Sequence, residues 1–85
     1  MEEEKELEEM LSLLEKNPIN QSLLKKIGSA LYRLEEYDTA KIFYERVETL
    51  THNNIVSEQL GDCYFQLGQY QLAIEKYKNA HLGRV

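Results

Sequence analysis

The sequence predicts an all-α fold, a helix-turn-helix repeat of about five antiparallel helices, on two observations. The first is recurrence: Ile27-Gly28 returns 33 residues later as Leu60-Gly61, Leu34 as Leu67, Tyr37 as Tyr70, Ala40 as Ala73 and Tyr44 as Tyr77. A period of that size marks stacked copies of one supersecondary unit that bury a continuous core between them. The second is composition along the chain. Helix formers dominate, and the four glycines and single proline fall where segments must turn or touch.

The first helix is predicted from about Glu2 to Lys16. Leu7, Met10, Leu11 and Leu14 share a face at helical spacing, and Glu2, Glu3 and Glu4 sit at the amino end, where carboxylates complement the helix dipole. Asn17-Pro18-Ile19-Asn20 ends it. Asn20 is placed to cap a second helix, and Ile19 with Leu24 has the spacing of a hydrophobic staple. That helix runs to about Leu34 with Leu23, Leu24, Ile27, Ala30, Leu31 and Leu34 on its apolar face. The turn at Glu35-Glu36 is abrupt and has no glycine.

A third helix, about Tyr37 to Thr51, is expected to bury Tyr37, Ala40, Tyr44 and Val47, with Ile42 left outside between Asp38 and Arg46. The polar run Thr51-His52-Asn53-Asn54 closes it and supplies caps for the next. The fourth, about Ile55 to Leu67, is expected to bury Val56, Leu60, Tyr64 and Leu67, and Gly68 provides a left-handed stop. The fifth, about Tyr70 to Leu82, is expected to bury Tyr70, Ala73, Ile74, Tyr77 and Ala80, with Gly83 as its terminator. Gly28 and Gly61 each cost a helix about 0.5–1 kcal/mol relative to alanine. Ala40 and Ala73 follow each by twelve residues, so the expected compensation is a close Gly-Ala helix crossing.

A domain of 85 residues gains only a few kcal/mol from its core. Cys63 is the single cysteine, so no internal disulfide forms, and with His52 and His81 it lacks metal-ligand spacing. A buried structural thiol is the expected role, with no base placed to activate it. A net charge of -5 and a pI near 5.0 oppose general binding to nucleic acid or anionic membrane. No apolar run reaches bilayer length and the start is acidic, so a cytoplasmic location is expected. No phosphate loop, paired-carboxylate cleft or triad stands out, and neither catalysis nor a cofactor or metal is expected.

The repeated residues resemble the tetratricopeptide repeat, whose signature places Trp, Leu-Gly, Tyr, Ala, an aromatic and Pro at fixed spacing. In the second copy Leu60-Gly61, Tyr64, Ala73 and Tyr77 match, with Ser57 in the tryptophan position; in the first, Ile27-Gly28, Leu31, Ala40 and Tyr44 match, with Leu24 there. The run from Leu13 to Asn20 looks like the tail of a preceding repeat's second helix. The resemblance implies a tetratricopeptide-like α-solenoid forming one domain over 1–85: a half-repeat or capping helix at 1–17, one repeat at 21–53 and another at 54–85. His52 stands where the closing proline is common, and Glu35 replaces the glycine of the inter-helix turn.

What the resemblance implies for function is a scaffold that binds a peptide or protein partner in a concave groove lined by the first helix of each hairpin. Carried over by position, the groove takes Ser22, Lys25, Ser29, Tyr32 and Arg33 from one hairpin and Ile55, Glu58, Asp62, Phe65 and Gln66 from the next. Tyr32 and Phe65 form an aromatic step for an apolar side chain. Lys25 fits one lysine of a carboxylate clamp, but Ser29 replaces its asparagine, and Glu58 with Asp62 would repel a carboxyl terminus. Lys25, Lys26 and Arg33 remain as a local acid-binding patch. The alternative is structural self-association. With nothing after Leu82-Gly83-Arg84-Val85 to seal the last hairpin, Ile74, Tyr77 and His81 are expected to lie partly open. The chain is then either a piece of a longer array or a homodimer through this carboxyl-terminal edge.

Overall fold

A computed structural model describes residues 2–82. Five helices follow in order: α1 (Glu2–Lys16), α2 (Gln21–Arg33), α3 (Tyr37–Thr51), α4 (Ser57–Gln66) and α5 (Tyr70–Leu82). Each packs mainly on its neighbours in the chain, so α2 with α3 and α4 with α5 make two hairpins, and α1 lies against α2. The expected closing role of Gly83 lies outside the described residues. Asn20 caps α2 as its sequence position requires, its side-chain oxygen accepting from the Leu23 N–H at 3.0 Å.

The core runs through the stack. Leu24, Ile27, Ala40 and Val47 from the first hairpin meet Val56, Leu60 and Cys63 from the second, all of them buried. Cys63 takes the place that Ala30 holds one repeat earlier, and both are buried. Ser57, in the tryptophan position, is fully enclosed. Its hydroxyl lies 3.4 Å from Glu48 Oε2 and 3.5 Å from Asn54 Oδ1 and donates to one of them. Glu48 in turn pairs with Lys76 at 2.7 Å, joining α3 to α5 across the hairpin boundary with both side chains largely covered.

The two inter-helix turns are the same device built from different residues. Glu36 N–H donates to Leu31 O at 2.9 Å and Glu35 N–H to Tyr32 O at 2.9 Å; Gln69 N–H donates to Tyr64 O at 2.8 Å and Gly68 N–H to Phe65 O at 3.0 Å. Both are the paired bonds of a Schellman stop, which demands a left-handed residue. Gly68 supplies it at φ 78°, and Glu35 is forced there at φ 64°. A side chain in that region costs about 1 kcal/mol or more, partly offset by the greater unfolded-state freedom of glycine. Glu35→Gly is expected to raise stability by up to about 1 kcal/mol, and Gly68→Ala to lower it by about 1 kcal/mol, each read as a shift of the urea midpoint with an unchanged slope. Identical midpoints for all three chains would show that the turn carries no strain.

Several sequence expectations are corrected. Ile19 forms no staple: it is 71% exposed while Leu24 is fully buried. On α1 only Leu14 is buried, with Leu7 and Met10 half-covered and Leu11 exposed. Helix α4 begins at Ser57 and not at Ile55, because Asn53 Oδ1 accepts from the Ile55 N–H at 3.1 Å and holds the chain in a local turn. Tyr37 and Leu67 are half-buried, and on α5 Tyr70, Ile74 and Tyr77 are exposed where the apolar face predicts burial. The glycine crossings are also different. The nearest side-chain atoms to a Cβ built on Gly28 belong to the Tyr44 ring, at 2.9 Å, and on Gly61 to the Tyr77 ring, at 2.6 Å. The closest approach at each glycine is thus a tyrosine ring and not Ala40 or Ala73.

Candidate functional site

The side chains on α2 and α4 that point away from the core meet along one surface. Ser29, Tyr32 and Arg33 from α2 and Gln59 and Asp62 from α4 surround a hollow of about 200 Å3, with Tyr44 of α3 as its inner wall. Helical spacing explains the grouping: Ser29, Tyr32 and Arg33 occupy successive turns of one face, as do Gln59 and Asp62. Gln66 Nε2 reaches Tyr32 Oη at 3.4 Å and ties the ends of the two helices together.

Polar groups in the hollow are prearranged. Arg33 Nη1 donates to Ser29 Oγ at 2.9 Å, and its Nε lies 3.3 Å from Glu3 Oε1, so α1 helps to aim the guanidinium. On the opposite wall Asp62 Oδ1 accepts from Tyr77 Oη at 2.5 Å. A cation and a carboxylate thus flank an aromatic wall. Burial pushes the Tyr44 phenol up to about 12, with the nearby Cys63 thiol adding to the effect. Tyr77 is raised as well, by burial first and then by its bond to Asp62 and that group's charge.

Of the remaining groove residues, Ser22 and Lys25 are exposed further along α2 and do not line this hollow. Glu58 is exposed and borders a separate depression with Tyr77, Ala80 and His81. The two rings of the aromatic step each pack against the start of the following helix: Tyr32 meets Tyr37 edge-on at 5.0 Å and 68°, and Phe65 meets Tyr70 at 5.3 Å and 69°. The recurrence carries this pair in both hairpins. Phe65 nevertheless keeps 47% of its surface open.

Two features escaped sequence reasoning. Gln59 lies one turn before Asp62, a spacing that could have placed it on the groove face. A larger hollow, about 670 Å3, lies beside the inter-hairpin loop, between His52, Asn53, Asn54 and Ile55 and the side chains of Glu58, Gln59 and Ala80. No periodic signal marks it, since it depends on how the loop folds back. On α5, Ile74, Tyr77 and His81 flank Lys78 around a shallow open depression. Ile74 is 46% exposed and Tyr77 37%. Burial raises the Cys63 thiol to about 11, with Asp62 adding to the effect, so its thiolate is strongly disfavoured. Among the described residues no group of three His, Cys, Asp or Glu side chains is placed to hold a metal ion, and no helix is long and apolar enough to cross a membrane.

No family model matches the chain. It is 33% identical over 79 residues to tetratricopeptide repeat protein 21B of Xenopus laevis, an alignment that covers 93% of this chain and 6% of the relative.

Proposed function

The chain belongs to the tetratricopeptide-repeat proteins, two helical hairpins preceded by a half-repeat helix, and from that premise we propose that it is a non-enzymatic scaffold receiving a peptide or protein segment along α2 and α4. The observation that carries this reading is the hollow in which Ser29 and Arg33 face Asp62 beside the Tyr44 ring. Donors on one wall and a carboxylate on the other fit a segment that turns an acidic residue toward α2 and a basic residue toward α4. Lys25 and Glu58 extend the same division of charge outward. Residues 21–53 and 54–85 are the two repeat units in this reading, with 1–17 as the preceding half-repeat of a single domain. Binding is the whole activity, and a reducing, cytoplasmic compartment suits the buried, unpaired Cys63.

The test is a peptide ligand selected from a display library, followed by mapping of backbone amide shifts. Perturbation of Ser29, Tyr32, Asp62 and Gln66, with at least about tenfold weaker binding by Lys25→Glu and by Tyr32→Ala, is the expected result. Responses confined to Ile42, Glu75 and Lys78 on the far side would reject the groove. A second reading, structural self-association, is favoured by the open strip of Ile74, Tyr77 and His81 on α5.

A further inference from the structure

The open face of α5 has a covered counterpart inside the same molecule. Position for position, Ile74, Tyr77, Lys78 and His81 repeat Lys41, Tyr44, Glu45 and Glu48 of α3. On α3 that face is occupied by α4. Tyr64 Oη donates to Glu45 at 3.1 Å, Lys41 lies 5.5 Å over the Tyr64 ring, and Glu48 stands 3.4 Å from Ser57 Oγ. On α5 the signs are changed: Lys78 and His81 stand where α3 has its two carboxylates, and apolar Ile74 replaces its cation. The helix that fits α5 must therefore differ from α4, offering an apolar side chain to Ile74 and Tyr77 and carboxylates to Lys78 and His81. Within the chain Tyr77 Oη donates to Asp62.

The chain itself carries a helix of that description. Leu11 of α1 is exposed, and Glu4, Glu8 and Glu15, also exposed, lie one or two turns from it on the same side. Leu11 occupies in α1 the position of Tyr44 in α3, and no hairpin partner covers it within the described residues. We propose that α5 of one copy receives the acidic Leu11 face of α1 from a second copy. The proposal rests on the self-association reading and specifies its mechanism. Because donor and acceptor are different helices, the contact is heterologous and repeats head to tail, so it does not stop at a symmetric pair.

Solution mass across a dilution series from about 1 μM to about 1 mM tests it. The parent chain is expected to grow past the dimer with concentration and to dissociate as salt is raised, since exposed charges are screened. Glu8→Lys with Leu11→Lys removes the donor face, and Ile74→Glu with Lys78→Glu removes the acceptor; all four positions are exposed. Each doubly substituted chain alone is expected to weaken association at least tenfold, and an equimolar mixture to form a one-to-one dimer, since each retains the end the other lacks. Recovery in the mixture also shows that both variants fold. If the donor-deficient chain still associates as the parent does while the acceptor-deficient chain does not, α5 pairs with something other than α1; the proposal then fails and the edge reading survives. A parent chain that stays monomeric throughout overturns both.

Discussion

Gly28→Ala is expected to cost about 1–3 kcal/mol, whereas Gly61→Ala leaves stability within about 0.5 kcal/mol of the parent. Distance alone would rank them the other way, since a Cβ at Gly61 meets its tyrosine ring at 2.6 Å and one at Gly28 at 2.9 Å. Burial decides the order. Tyr44 is 4% exposed and packed at the hairpin boundary, so moving its ring disturbs the neighbours that enclose it; Tyr77 is 37% exposed and can swing toward solvent by giving up its bond to Asp62. At Gly61 the small cost of that movement is offset by the better helix propensity of alanine, about 1 kcal/mol. Gly28→Leu drives a branched side chain into the same enclosed space and is expected to unfold the domain. Urea melts of the three variants measure the difference, and equal losses at the two glycines would show that ring freedom does not set the cost.

The second large effect is alkaline unfolding. Burial raises the phenols of Tyr44 and Tyr64 to about 12, with the Glu45 carboxylate adding to the rise at Tyr64. In the unfolded chain both ionise near 10. The folded state therefore holds these protons more tightly, so the stability they contribute is fully present below pH 10 and is lost as pH rises from about 10 through about 12. Melting temperature is expected to change little between pH 7 and 9 and to fall steeply above 10, with tyrosinate absorbance appearing together with loss of helix. Tyr44→Phe is expected to flatten part of the fall. A melting temperature that holds to pH 12 in the parent chain would show that the rings ionise in place.

Backbone periodicity made most of the fold legible. The bounds of α1 and α3 and the start of α5 at Tyr70 follow from stretches of helix formers, the first two closed by Asn17-Pro18 and by His52-Asn53, and they agree with the observed helices. Helix α4 was harder because Ile55-Val56 looks like the start of an apolar face, whereas the competing bond from Ile55 N–H to the Asn53 side chain keeps those residues out of the helix. Gly28 and Gly61 announced a close approach, but not the approaching group. A glycine says only that a Cβ is unwelcome, and three-dimensional crossing geometry selects the tyrosine sixteen residues on over the alanine twelve residues on.

The candidate site divides in the same manner. Ser29, Tyr32, Arg33 and Asp62 were legible as sharing one face, because helical spacing alone decides that. Their mutual engagement was not, since Arg33 is aimed by Glu3 from thirty residues earlier and Asp62 is held by Tyr77 from the next helix. Glu35 shows the limit from the other side. Its place in the repeat gave the turn, and only the backbone reveals that it carries the same left-handed conformation as Gly68.

Since each helix packs mainly on the one before and after it, nearly every stabilising contact joins segments that are close along the chain. Closing such contacts costs little loop entropy, and proteins with this low contact order fold in microseconds to milliseconds. Assembly can begin at either hairpin and spread to its neighbour without waiting for a distant partner. Opening follows the reverse geometry. Helix α1, which buries only Leu14 and packs mainly on α2, is the first to peel away, while the buried seam of Val47, Val56 and Leu60 between the hairpins is the last to separate.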